Sequence, residues 1–443
     1  MNSIQNHIIM AMIISIVHLL ASCNGFLDEK PNKSIVIPDN FEAIRAILDA
    51  SESMGRSGAI PVMAADEFTT DAAGLARWQA QWQRNVYLWD PAPFSVSDAP
   101  GDWATMYRQI FNANVVLDEL EKLKGQDEEL YNRYRGHALF IRAWSYFSLS
   151  QVFLPANLDG AGNGPVIPLK LTPELEAPYE KVGVSEIYLQ VMDDLLEAER
   201  LLPMKRQYPI RPGKTACWAL MARINLAFEQ YGLAEDYSAK VLAQSPTLLD
   251  FKALDDGIFP FEQFNEEVIF HAQLIGYGFT GYPSTKVMDE LYESYTENDL
   301  RKTIYFTTRS GNVNLMGTLT GNHETFCGLA TGEVYLIHAE CLARKGDTAG
   351  AMGLLNELLS YRYDQSFEPL SATGQTDALE KIILERRKEL AYRGTRWSDL
   401  RRLNKDPRFA KTIVKILDGM TYTLPPGSEK YVLPVPPRED NFE

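Results

Sequence analysis

Between Gly74 and Phe94, three of the chain's seven tryptophans, Trp78, Trp82 and Trp89, alternate with Arg77, Gln79, Gln81, Gln83, Arg84 and Asn85. A pyranose ring presents a face of C–H groups that lies against an indole, while its hydroxyls need amide, guanidinium or carboxylate partners, so this mixture suits a saccharide platform. Leu75, Trp78 and Trp82 also fall at i, i+3 and i+7, a helical face that core packing explains as well, and both roles stay open. A second aromatic stretch, 276–283 (GYGFTGYP), sets Tyr277, Phe279 and Tyr282 between glycines. The glycines deny it helix or strand regularity, which predicts a loop that exposes its rings.

Groups that could do covalent or metal chemistry do not assemble into a set. Asp66-Glu67, Asp193-Asp194 and Glu266-Glu267 are paired carboxylates, as well suited to solvation or helix capping as to acid–base work. His323-Glu324-x2-Cys327 lacks the second histidine of a zinc helix, and Gly213-Lys214-Thr215 lacks the first glycine of a phosphate loop. A Gly-x-Ser-x-Gly elbow is absent. We therefore assign no catalytic residue, metal or cofactor. The 443 residues carry 43 Lys plus Arg against 59 Asp plus Glu, a formal charge of −16. That balance repels nucleic acid and anionic bilayers alike.

The elements that must position these residues are mostly helical. Apolar residues recur at three- and four-residue intervals over 102–123 and 127–153, which predicts a helical hairpin. Similar segments run over 185–202, 214–230, 236–242, 332–344, 349–359 and 377–393, the last with Asp377 and Glu380 as a capping box and Gly394 as its C-cap. Small residues repeat in two of the hairpins, at Ala222, Ala227 and Ala239 and at Ala339, Ala343 and Ala351, as in tetratricopeptide units. Long stretches rich in Gly, Pro and aromatics, 60–101, 155–183, 246–331 and 404–443, separate the helices. Loops of that length usually carry function.

At the amino end, residues 8–21 form an apolar run of export-signal length, ending Leu20-Ala21-Ser22-Cys23. This resembles a lipobox, so residues 1–22 read as a signal peptide and Cys23 as the acylated first residue of the mature protein. Cys217, Cys327 and Cys341 then remain, an odd number that implies no disulfide framework.

Taken together, these pieces resemble the SusD/RagB family of surface nutrient-binding lipoproteins. The matching residues are Cys23-Asn24-Gly25-Phe26-Leu27-Asp28, Trp103-x3-Tyr107-x2-Ile110-x3-Asn114, Arg142-Ala143-x2-Tyr146-Phe147 and Asp194-Leu195-x2-Ala198. Further on come Glu333-Val334-Tyr335-Leu336, Glu385-Arg386-x2-Glu389-Leu390, Arg396-Trp397-x-Asp399-Leu400 and Tyr431-x-Leu433-Pro434-Val435-Pro436. Ala330 and Thr331 stand where a basic residue is usual, and Arg393 where an acidic one is. The resemblance implies a mainly α, SusD-like fold over 23–443, with tetratricopeptide-like hairpins as scaffold and a division into 24–330 and a C-terminal 331–443 part. It implies a non-catalytic glycan-binding protein, lipid-anchored at the cell surface on the outer membrane, that delivers oligosaccharide to a SusC-like TonB-dependent β-barrel transporter. A peptide cargo, as in RagB-type members, and a lipid-anchored helical glycoside hydrolase are the alternatives. Because the family builds its ligand platform from loops in these two regions, the resemblance points to Arg77, Trp78, Trp82, Trp89, Tyr277, Phe279 and Tyr282 as ligand contacts.

Overall fold

A computed structural model describes residues 38–158, 164–174, 178–204, 206–255 and 257–437. The signal peptide, Cys23 and the lipobox lie outside these. The longer helices are α1 (Gly101–Lys122), α2 (Glu128–Phe153), α3 (Val184–Leu201), α4 (Lys214–Ala227), α5 (Tyr231–Gln244), α6 (Thr331–Lys345), α7 (Thr348–Ser360), α8 (Gln375–Glu389) and α9 (Arg396–Leu403). The chain is mainly α, with tetratricopeptide-like hairpins. α2 packs between α1 and α3, α4 pairs with α5, and α6 with α7, while α5 against α6 joins the hairpins.

Local chemistry explains the boundaries. Asp127 opens α2 by accepting the Leu130 amide at 3.0 Å, with Glu128 and Glu129 in the first turn facing the positive end of the helix dipole. Between α6 and α7, Gly346 takes φ 97°, and Asp347 then caps α7 by accepting the Gly350 amide at 2.9 Å. The capping box at α8 does not form. The helix starts two residues earlier than expected, at Gln375, and Asp377 reaches back to the Thr373 amide at 2.8 Å. Its end also comes early, at Glu389, so Gly394 (φ 78°) serves the turn into α9 together with Tyr392 (φ 61°).

Strands pair only in twos among the described residues. Ile413–Leu417 and Met420–Leu424 form an antiparallel hairpin whose loop, Asp418-Gly419, takes left-handed φ at both positions, as a tight two-residue loop requires. Phe306–Arg309 and Asn312–Leu315 repeat the device through Ser310-Gly311. Arg56–Ser57 lies parallel to Gln273–Leu274, which leads into the 276–283 loop.

The scattered signature residues meet in space. Arg142 on α2 donates to Asp194 on α3 through two bonds of 2.8 and 2.7 Å and to Asn114 on α1 at 2.9 Å, tying three helices with one guanidinium. Arg386 bonds Asp399 at 2.9 Å and Arg402 bonds Glu340 at 2.6 Å across elements, while Lys388–Glu385 and Arg402–Asp399 pair at 2.8 Å along α8 and α9 themselves. Cys217, Cys327 and Cys341 are buried and free. Burial pushes the thiols of Cys327 and Cys341 up to about 12, which leaves them protonated.

Candidate functional site

The loops 74–94 and 276–283 come together, and what joins them is buried aromatic surface. Residues 74–94 are not one helix: Ala72–Leu75 and Gln81–Tyr87 are separate short helices with Trp78 between them. The Trp78 indole packs against Phe279 with centroids 5.0 Å apart and edge-on to Tyr87 at 5.3 Å, while Phe68 closes the cluster 5.2 Å from Phe279. Trp82 meets Tyr277 edge to face at 5.0 Å. Trp89 donates its indole N–H to the Ala64 carbonyl at 2.8 Å, and the Lys415 ammonium lies over its ring at 4.4 Å.

This corrects the expected ligand contacts. Trp78, Trp82, Trp89 and Phe279 are 2, 6, 3 and 3 % exposed, so they offer no face to a ligand. The rings instead fasten one loop to the other, because core burial of an indole is worth more than a wet surface contact. Arg77 is exposed, and Tyr277 and Tyr282 are half-buried.

Tyr277 also has structural work. Its hydroxyl donates to Asp102 Oδ2 at 2.6 Å and accepts from the Asp102 amide at 3.1 Å. Asp102 is buried at the start of α1, where its other oxygen accepts the Ile60 amide at 2.8 Å. Burial pushes its carboxyl up to about 6, against the pull of these hydrogen bonds. The approach is close enough that a Cβ on Gly58 would sit 2.1 Å from Asp102 Oδ1, so only glycine fits there. We expect Tyr277→Phe to cost about 1–3 kcal/mol, the range for a buried acceptor left without its donor. Thermal melts of the variant beside Tyr282→Ala check this; equal, unchanged melting temperatures would show that the Tyr277–Asp102 bond contributes nothing.

Arg309 is not legible in the sequence, since the Gly-, Pro- and aromatic-rich stretch 246–331 predicts loop where the hairpin that presents it forms. Its guanidinium donates to Gly281 O at 3.2 Å and Thr280 O at 3.4 Å, and no carboxylate neutralises it among the described residues. Asn312 and Asn314 donate to Pro283 O, both at 3.1 Å, so the hairpin braces the Tyr282 loop from behind. The Ser310-Gly311 turn was the available signal.

The carboxylates resolve differently from the open expectation. Asp66 and Glu67 are 2 and 1 % exposed. Asp66 accepts from Arg396 at 2.7 Å and from Arg387 at 3.2 Å. Glu267 is buried and bonded to Arg362 at 2.7 Å. Asp193 and Glu266 are exposed. His323 packs edge-on against Phe259 at 4.6 Å and Glu324 pairs with Arg56 at 2.9 Å; among the described residues no three metal-ligating side chains cluster.

A mainly helical scaffold of paired helices thus carries two aromatic loops fastened to each other through buried rings. A family profile described as starch-binding and associating with the outer membrane matches residues 25–226, and one described as the SusD family matches residues 273–439. The chain belongs to the SusD/RagB family. SusD-like protein P25 of Formosa agariphila is 22% identical over 289 residues, 60% of this chain, and the match spans about half (51%) of that relative's length. The solved SusD superfamily protein of Bacteroides thetaiotaomicron superposes with a TM-score of 0.73 at 19% identity, covering 91% of this chain and 98% of that one. A laminarin-binding SusD-like protein gives 0.65 at 20% identity, covering 90% and 96%.

Proposed function

We propose that this chain is a non-catalytic glycan-binding lipoprotein, anchored through Cys23 to the outer face of the outer membrane, that delivers oligosaccharide to a SusC-like TonB-dependent barrel. The observation that carries the reading is the aromatic fastening of 74–94 to 276–283, Trp78 on Phe279 and Trp82 on Tyr277, which makes a rigid base for Arg77, Tyr282 and Arg309. The described ligand class of the family supports sugar as cargo. Arg77 and Arg309 supply donors for hydroxyls, and Tyr282 supplies one ring face. Hydrolysis would need two carboxylates facing one ligand, and Asp66 and Glu67 lie in the interior, out of reach of a polysaccharide. On this reading residues 23–443 act as one domain.

Stacking on one ring is worth about 1 kcal/mol, so affinity falls in the micromolar to millimolar range and Tyr282→Ala weakens it about fivefold with the melting temperature unchanged. Calorimetric titration of the full chain with laminarihexaose and maltohexaose, after a glycan array, measures both. Retention of peptides with no glycan bound, or release of shorter sugars during the titration, would overturn the assignment.

A further inference from the structure

His271 is 4 % exposed and neither of its ring nitrogens has a hydrogen-bond partner. Phe264 packs edge-on to it at 4.9 Å on one side and Phe326 lies 5.8 Å away on another. A buried imidazole without partners costs about 1–3 kcal/mol, so it calls for a group that the protein itself does not supply. The ring lines a polar hollow of about 400 Å³ together with Gln263, Phe264, Gln273, His323 and Glu324. We infer that this hollow is a second ligand site, apart from the Arg77–Tyr282 surface, for a neutral polyhydroxyl compound of the saccharide class.

Three features select that chemistry, and each belongs to the hollow itself. First, the spare groups are mixed: the side-chain amides of Gln263 and Gln273 and the His323 imidazole make no hydrogen bond in the structure, and a neutral imidazole adds one donor and one acceptor. A hydroxyl, which donates and accepts at once, can match every one of them. Second, Glu52 and Glu324 share one cation, Arg56, leaving the rim with a surplus negative charge that turns away carboxylate and phosphate ligands. Burial and Arg56 also push His271 down to about 4, so the ring brings no compensating charge at neutral pH. Third, Phe264 is 40 % exposed and offers a ring face at the mouth of the hollow. It holds φ 65°, a left-handed conformation that costs a phenylalanine roughly 1–3 kcal/mol.

The test follows the four histidine rings of residues 23–443 by ¹⁵N NMR on the histidine-labelled mature protein, with His271 assigned through a His271→Gln variant. Methyl α-glucoside and laminarihexaose are the probes. We expect saturable shifts of the His271 and His323 ring signals, kept in Tyr282→Ala and lost in the double variant Gln263→Ala/Gln273→Ala. Neither glutamine side chain holds another group, so that variant should melt like the parent. Rings unmoved by either sugar would mean that water alone fills the hollow. Shifts that survive the double variant would mean that sugar contacts elsewhere are being sensed, and either result overturns the second site. Shifts lost in Tyr282→Ala would also remove it while leaving the first surface standing; shifts kept there, with sugar affinity indifferent to Tyr282, would remove the first surface and leave this one.

Discussion

Replacing Arg362 by methionine is expected to lower stability by about 3–5 kcal/mol, the range for breaking a buried ion pair from one side. Arg362 is fully buried. It donates to Glu267 at 2.7 Å, to both oxygens of Glu389 at 3.0 Å and to the Leu249 carbonyl at 2.9 Å, and it lies over the Phe251 ring at 4.2 Å. Glu389 keeps a second guanidinium, Arg301, at 3.2 Å. Glu267 does not. Its carboxylate would retain only the amides of Leu249 (2.9 Å) and Gly332 (3.1 Å) in a dry interior. Relaxation is hindered because the approach is tight: a Cβ on Gly332 would already lie 2.7 Å from Glu267 Oε1 and 2.9 Å from Arg362 Nη2. The exposed pair Arg408–Asp406, at 2.7 Å, is the control, and Arg408→Met should change stability by under about 1 kcal/mol. Urea unfolding followed by circular dichroism compares the two. Equal midpoints would mean that the Arg362 network contributes no more than a surface contact.

That network also shows where sequence patterning stops. The helices were legible because each repeats one local rule: the apolar spacing over 102–123 and 127–153 lands within a residue or so of α1 and α2. Asn114, Arg142 and Asp194 were legible as a signature but not as one cluster, since nothing local says that a guanidinium bridges three helices. The aromatic loops failed for the same reason. Phe279 sits between glycines, so its backbone can turn the ring either way, and the direction is decided by Trp78 and Phe68, some two hundred residues earlier in the chain. Trp78 and Trp82 satisfied a helical face and a sugar platform equally, and only burial separates those roles. Arg396 reaching Asp66 is a pairing over 330 positions that no spacing rule encodes. His271, a lone histidine in the apolar run 268–274, gave no pattern at all.

The second large effect has the opposite sign, since Glu67→Gln is expected to stabilise the protein at alkaline pH. One carboxyl oxygen of Glu67 accepts the Tyr392 amide at 2.6 Å and the other has no partner. Burial is the main force that pushes this carboxyl up to about 8; the Tyr392 hydrogen bond opposes it and the neighbouring Asp66 charge adds to it. Asp66 moves the other way: burial raises it, but Arg396, Arg387 and Lys411 outweigh burial and hold it far below the usual carboxylate range. Its contribution is therefore complete at neutral pH and flat across the window that matters for Glu67. Below the ordinary glutamate value, near 4.5, Glu67 is protonated whether the chain is folded or not, and it adds no pH dependence. From there to about pH 8 the unfolded chain ionises while the folded one keeps its proton, so stability declines with rising pH, by on the order of a few kcal/mol in all. Glutamine accepts the same Tyr392 amide and cannot ionise, and its unpartnered NH2 replaces an unpartnered carboxyl oxygen. Urea midpoints of the two proteins should coincide near pH 4.5 and separate steadily toward pH 8, with the variant the more stable. A difference independent of pH, or a variant that is weaker at pH 8, would show that Glu67 is ionised in the folded protein.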